Sequence, residues 1–128
     1  MRDDKKNLIV DLTFNFALKI IEFTELLELK KRYNMANQLF RSGTSIGANV
    51  REAQNAESKA DFIHKLKISA KEADETYYWL LLCEHSKNYP NPEGLITEIE
   101  SINRVLSKII ATSKTKTSYN KHSNQSSN

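Results

Sequence analysis

Four segments of the chain carry apolar residues at the spacing of an α-helix, and only short breaks separate them. These segments cover about residues 8–29, 34–56, 59–85 and 92–111. The whole sequence holds three glycines and two prolines, too few for the many tight turns of an all-β fold. Short connections place consecutive helices side by side in opposite directions. The sequence therefore predicts an all-α fold, an antiparallel up-down-up-down four-helix bundle.

Helix start signals support these boundaries. Ser58 and Asp61 form the Ser-x-x-Asp pattern of a capping box at the start of the third helix. Asn91-Pro92-Glu93 supplies an N-cap, a proline at the first helical position and an acid in the first turn of the fourth helix. We therefore expect one bundle over residues 1–112. Residues 113–128 are rich in Ser, Lys and Asn, have almost nothing to bury, and are expected to be disordered.

Two helices carry more apolar surface than a single core requires. The first helix has a predicted core face of Phe14, Ala17, Leu18 and Ile21, and an opposite stripe of Phe16, Ile20, Phe23 and Leu27. The third has a core face of Phe62, Ile63, Leu66, Ala70, Ala73, Tyr77, Leu80 and Leu81, and a second stripe of Ile68, Trp79 and Leu82 with Glu72 and Glu75. Exposed second stripes indicate self-association. The alternative is an ordinary surface, since single exposed apolar residues are common.

The second helix contains "RSGTSIGANVREAQ", residues 41–54, a run of poor helix formers. Its predicted core face is Leu39, Ile46, Val50 and Ala53, and a polar stripe of Arg41, Ser45, Asn49 and Glu52 lies opposite. Gly43 and Gly47 flank the core face, where small residues allow two helix backbones to approach closely. The polar stripe predicts a contact between helices or subunits, and a solvated surface is the alternative.

The charge balance leaves nucleic-acid binding open. Lys114, Lys116 and Lys121 account for the net charge of +3, because 19 basic residues less these three leaves 16, against 16 acidic residues. The candidate phosphate-binding residues are Lys30, Lys31 and Arg32 in the first connection, Lys65, Lys67 and Lys71 on the third helix, and Arg104 and Lys108 on the fourth. These side chains either meet phosphates in a salt-sensitive way or keep the surface soluble.

No catalytic or metal-binding constellation is present in the sequence. Cys83 and His85 are two residues apart on a helix and do not face one way, and no zinc-type ligand pair or phosphate-binding glycine loop occurs. Glu72 and Glu75 alone are better explained as interface or solvated acids than as a di-metal site. We expect no enzyme activity and no cofactor. The absence of an apolar leader and of a membrane-spanning stretch, with a lone cysteine, predicts a cytoplasmic protein.

Residues 41–82, "RSGTSIGANVREAQNAESKADFIHKLKISAKEADETYYWLLL", closely resemble the small bacterial proteins encoded in intervening sequences of 23S rRNA genes. The family pattern on the second helix is matched by Arg41, Ser45-Ile46, Asn49 and Glu52, and that on the third by Phe62, Leu66, Ala70 and Glu72. The chain also agrees in length and helix order. Ala53 departs from the pattern, which often has glycine there.

The resemblance implies an antiparallel four-helix bundle that assembles into a ring-like pentamer. A related branch, the accessory proteins of diversity-generating retroelements, binds nucleic acid and a reverse transcriptase through a basic surface. No biochemical activity is established for the intervening-sequence proteins, and their gene location suggests an RNA partner by association only. The leading hypothesis is a non-enzymatic homo-oligomer that binds RNA or DNA. The alternative is a scaffold that recruits a protein partner without touching nucleic acid.

Overall fold

The computed structural model describes the backbone of residues 4–126 and the side chains of residues 8–115. Its four helices are α1 (Asp4–Leu29), α2 (Tyr33–Gln54), α3 (Lys59–His85) and α4 (Glu93–Ser126). Each helix packs against its two neighbours, in the pairs α1–α2, α2–α3, α3–α4 and α1–α4, and no diagonal pair meets among the described residues. This arrangement confirms the predicted all-α, antiparallel up-down-up-down four-helix bundle.

The two predicted helix starts are found within one residue of their expected positions. The Ser58 side chain accepts a hydrogen bond from the Asp61 N–H at 3.0 Å, which confirms the capping box of α3. In α4 the Pro92 carbonyl accepts from the N–H of Ile96 at 3.1 Å. Pro92 is therefore the N-cap, not the first helical residue, and the helix begins one residue later than predicted, at Glu93. This shift is within the usual uncertainty of helix ends.

The fourth helix extends well past its predicted end near Ala111 and reaches Ser126. Its residues 113–126 are Ser, Thr, Lys, Asn, His and Gln with a single Tyr, and after Gly94 no glycine or proline interrupts the helix. Such residues are only moderately unfavourable in a helix that has already begun, so the loss of apolar periodicity did not mark the end. Lys116, Lys121 and His122 have side chains outside the described residues.

The turn between α1 and α2 is closed by a left-handed residue. Lys31 has φ +61°, its N–H donates to the Glu28 carbonyl at 2.8 Å, and the Arg32 N–H donates to the Leu27 carbonyl at 2.8 Å. These two bonds form a Schellman motif, which normally carries glycine at the left-handed position. A lysine there lacks glycine's freedom at positive φ.

Lys31→Gly is therefore expected to raise the free energy of unfolding by about 0.5–1 kcal/mol, because relief of strain exceeds the added entropy of the unfolded chain. Urea denaturation measures this change. Asn88 also has positive φ (65°), but asparagine tolerates that conformation, so Asn88→Gly should gain less. A Lys31→Gly protein less stable than the wild type contradicts the strain argument.

The core face of α1 is the stripe that the sequence placed outside. Phe16, Ile20, Phe23 and Leu27 are buried, whereas Phe14 is 56% and Leu18 48% exposed. The prediction of two apolar stripes was right and the choice between them was wrong. The buried stripe begins at Ile9 and runs the length of the helix, while the other ends at Ile21 and gives way to acids. Stripe length was the signal that distinguishes them.

The predicted cores of α2 and α3 are confirmed in large part. Leu39, Ile46, Val50 and Ala53 of α2 and Phe62, Leu66, Ala73 and Leu80 of α3 are buried. Ile63, Ala70, Tyr77 and Leu81 are only half-buried, because the centre of the α3 face passes through small and polar residues, namely Ser69, Thr76 and Cys83.

Three fully buried hydroxyls join α2 to α3 inside this core. Ser69 Oγ donates to the Ile46 carbonyl at 2.9 Å, and the hydroxyls of Thr76 and Ser42 hydrogen-bond to each other at 2.9 Å. All three serine and threonine side chains have no solvent exposure. Since a buried hydroxyl without a partner costs about 1–3 kcal/mol, these bonds favour one alignment of the two helices.

The glycines of α2 face α1. A Cβ added to Gly43 lies 2.9 Å from Cγ1 and Cγ2 of Ile20, and one added to Gly47 lies 3.3 Å from the Thr13 carbonyl oxygen. The predicted close approach of two helix backbones is thus found within the chain, between α1 and α2. The α1–α4 contact is the sparsest of the four; Lys19 and Glu98 form an ion pair across it.

Candidate interaction surfaces

The sequence-predicted interface residues lie together on one side of the bundle, which we call the α2/α3 face. It comprises Arg41, Ser45, Asn49 and Glu52 of α2 with Ile68, Glu72, Glu75, Trp79 and Leu82 of α3. Arg41 is its centre: Nη1 lies 3.5 Å from Glu72 Oε2, and Nη2 pairs with Glu75. Trp79 Nε1 donates to Glu75 Oε1 at 3.2 Å, so one carboxylate holds both the arginine and the indole.

The other polar residues of the α2 stripe form hydrogen bonds or ion pairs with residues of the same bundle. Ser45 Oγ donates to the Arg41 carbonyl at 2.6 Å, Asn49 Nδ2 donates to the Ser45 carbonyl at 2.9 Å, and Glu52 pairs with Lys65 at 3.2 Å. Exposed pairs of this kind contribute about 0–1 kcal/mol each. The half-buried Ile68, Trp79 and Leu82 complete a surface that combines oriented polar groups with accessible apolar area.

A second surface, the α1/α2 groove, was missed because its α1 residues were assigned to the core. The groove has a volume of about 450 Å³. It is lined by Val10, Asp11, Thr13, Phe14, Ala17, Thr44, Gly47, Ala48 and Arg51. Leu18 and Phe40, each about half exposed, extend the apolar area. Such a concentration of accessible apolar side chains is typical of an interaction site.

The candidate basic residues separate into three places. Lys67, Lys71, Arg104 and Lys108, together with Lys114, are exposed on α3 and α4 and form what we call the α3/α4 basic face. The side chains of Lys67 and Lys114 lie next to each other, and the neighbouring ammonium group of Lys114 lowers the pKa of Lys67 because two like charges disfavour the charged form. Lys65 points instead toward α2, where it pairs with Glu52.

The third group, residues 30–32, lies at the end of the bundle opposite to Lys67 and Lys114. Lys30 and Lys31 are exposed. The Arg32 guanidinium stacks over the Tyr89 ring at 4.8 Å from its centroid, a cation–π contact that joins the α1–α2 turn to the α3–α4 connection. Arg32 is thus engaged within the fold, a role that only the folded proximity of two connections reveals.

The described residues were also compared with the requirements of a reactive thiol, a metal site and a membrane-spanning helix. Burial raises the pKa of the Cys83 thiol to about 11, so the thiol is protonated near neutral pH. Among the described side chains, no group of three or more His, Cys, Asp and Glu is placed to hold a metal ion. No helix in the described part of the chain is long and apolar enough to cross a bilayer.

Comparison with known proteins identifies relatives of the whole bundle. A crystal structure of a protein of unknown function from the S23 ribosomal protein family of Bacteroides thetaiotaomicron is 41% identical, with a TM-score of 0.79. The match covers 84% of this chain and 98% of that one. No curated protein sequence matches. The family model for the 23S rRNA-intervening sequence protein matches residues 5–111, from the start of α1 into α4. The chain therefore belongs to the 23S rRNA-intervening sequence protein family.

Proposed function

We propose that the protein is a non-enzymatic, cytoplasmic homo-oligomer, a ring of five copies, that binds RNA or DNA through basic faces repeated on each subunit. The observation that carries the proposal is the α3/α4 basic face. Lys67, Lys71 and Lys114 are exposed there and have no ion pair with a described acid, whereas Lys19, Arg41 and Lys65 are paired.

Two different surfaces on adjacent sides of the bundle support ring assembly. A closed ring of more than two copies joins unlike surfaces of neighbouring subunits. The α1/α2 groove is mainly apolar, and the α2/α3 face carries the Arg41 cluster with the half-buried Trp79. Adjacent sides of a four-helix bundle face directions about 90° apart, so contacts between these unlike surfaces turn each subunit relative to the next and close a small ring. The number five comes from the family resemblance.

Repetition of the basic face around a ring supports nucleic-acid binding by a chain whose body has balanced charge. A single face offers few cations, which gives weak, salt-sensitive phosphate contacts. Several linked faces bind one strand with a much higher effective affinity than each alone. The description of the family by 23S rRNA makes RNA the first partner to test.

The test is sedimentation of the full chain, alone and with labelled structured RNA, at low and moderate salt. We expect an oligomer that shifts the RNA at low salt and releases it as salt rises. The double variant Lys67→Gln/Lys71→Gln should weaken binding, and Lys19→Gln/Lys87→Gln, which removes the same charge elsewhere, should retain it. Equal loss in both pairs contradicts a specific basic face.

A protein-recruiting scaffold is the second candidate, favoured by the α1/α2 groove with its exposed Phe14 and by the balanced charge of residues 1–112. This function predicts an oligomer that ignores RNA at both salt concentrations. It also predicts that neutralising Lys30, Lys31 and Arg32 together leaves RNA retention unchanged.

A further inference from the structure

An exposed aromatic ring lies on the same helix face as two of the unpaired lysines. Tyr78 is 56% exposed, and its ring centroid lies 5.5 Å from that of Trp79 with 55° between the ring planes. Trp79 is itself half-buried and held by its hydrogen bond to Glu75. One side of the Tyr78 ring is therefore supported by a fixed indole, while the remainder of the ring is open to solvent.

The spacing of these residues aligns them along the outside of α3. Lys67, Lys71 and Tyr78 are four and seven residues apart, so they share one face of the helix and span about 16 Å along its axis. Lys114 of α4 meets Lys67 at one end of this line. Asp74 lies on the same face between Lys71 and Tyr78, three residues from one and four from the other, and it also lines a groove with Glu100 and Arg104. A strand bound along α3 must therefore pass this carboxylate between the lysines and the ring.

The lysines and the tyrosine offer complementary contacts to one kind of ligand. Two ammonium groups held together repel each other, and a phosphate between them replaces that repulsion with two attractions. An exposed aromatic ring stacks on a nucleobase, provided that the base is unpaired and its face is accessible. In a duplex the base faces are covered by their neighbours, so the ring contributes nothing there.

We infer that a single-stranded nucleic acid lies along α3, with phosphates at Lys67, Lys71 and Lys114 and a base stacked on Tyr78. This inference rests on the proposed nucleic-acid function and specifies its ligand as single-stranded. RNA and DNA share the chemistry that it uses, namely phosphates and base faces.

The experiment measures fluorescence anisotropy of labelled 20-nucleotide probes with the full chain: unstructured RNA, the same sequence as DNA, and a duplex. Tyr78→Leu is expected to weaken binding of both single strands about tenfold and to leave the duplex unchanged, whereas Tyr78→Phe keeps the stacking surface and the affinity. Tyr78→Leu should also keep the salt slope, while Lys67→Gln should reduce it by about 0.7.

A second readout is the fluorescence of Trp79, the only tryptophan in the sequence. Stacking of a base beside it should change the emission in the wild type and in Tyr78→Phe, and leave it unchanged in Tyr78→Leu. Far-UV circular dichroism verifies that the variants are folded.

The outcomes separate this inference from the proposed function. If Tyr78→Leu binds single strands as tightly as the wild type while Lys67→Gln binds less, phosphate binding stands and base stacking is wrong. If no probe binds at low salt, the proposed function itself is wrong. A strand preference for RNA or DNA, with the Tyr78→Leu loss in both, supports the inference.

Discussion

Replacing Gly43 with leucine is expected to lower the free energy of unfolding by about 3 kcal/mol, the upper end of the usual cost of overpacking. The first added carbon already lies 2.9 Å from two carbons of Ile20. Ile20 is fully buried and β-branched, so its side chain has one favoured rotamer and no free space to enter. Since Ile20 cannot move aside, the two helices must separate. The better helix propensity of leucine offsets only about 1 kcal/mol of this cost. Chemical denaturation followed by circular dichroism measures the loss.

Gly94→Leu is the matched control, since nothing lies within 4 Å of a Cβ added there. It should change the free energy of unfolding by at most about 0.5–1 kcal/mol, in the stabilising direction. A double-mutant cycle identifies the contact: in an Ile20→Ala background, Gly43→Leu should cost much less than in the wild type. Equal costs in the two backgrounds mean that α1 and α2 do not meet at this point.

Phe14→Asp is expected to dissociate the proposed ring into single subunits, which have a mass of 14.7 kDa. A charge placed in the α1/α2 groove must be desolvated to form the contact, while in the separate subunit Phe14 is 56% exposed and its replacement leaves the core intact. Sedimentation velocity measures the mass. Leu26→Asp, at a residue of the same helix that is 50% exposed on the α1–α4 side, should keep the wild-type mass.

The α2/α3 face provides the complementary variants. Asn49→Leu should disturb assembly, and Asn49→Arg more strongly, because the half-buried Asn49 lies among the polar groups of that face. Phe14→Asp keeps the α2/α3 face intact, and Asn49→Arg keeps the α1/α2 groove intact. A mixture of Phe14→Asp and Asn49→Arg should therefore form dimers through the one intact pair of surfaces. Unchanged mass in Asn49→Leu and Asn49→Arg would mean that the α2/α3 face is no interface, and dissociated variants that remain monomeric on mixing contradict a ring of unlike surfaces.

The helices, the capping box at Ser58 and the core face of α2 were predictable because each depends on residues close in sequence. The Arg41–Glu72–Glu75 cluster was also predictable, since α2 and α3 are consecutive and the cation of Arg41 on one stripe faces the carboxylates of Glu72 and Glu75 on the other. The α1 core face was predicted wrongly, because its two stripes are similar in hydrophobicity and differ in the sequence only in their length.

Contacts between the connections of the bundle could not be predicted from the sequence. Arg32 meets Tyr89 because two turns distant in sequence come together at one end of the bundle. Likewise, Lys65 and Lys67 differ by two residues and point to different neighbours: one is neutralised by Glu52, and the other adjoins Lys114. Counting lysines on a helix does not separate these roles.

The buried hydroxyl bonds between α2 and α3 have a consequence for assembly. An interface between purely apolar helices tolerates axial slippage by one turn. Here a slip would break the bonds of Ser69 to the Ile46 carbonyl and of Thr76 to Ser42, and Thr76 would keep only its bond to the Glu72 carbonyl of its own helix. α2 contributes residues to both the α1/α2 groove and the α2/α3 face. Locking its register therefore fixes the angle between the two surfaces. Small angular errors would accumulate around the proposed ring, so these few hydroxyl groups would limit how accurately its last subunit meets its first.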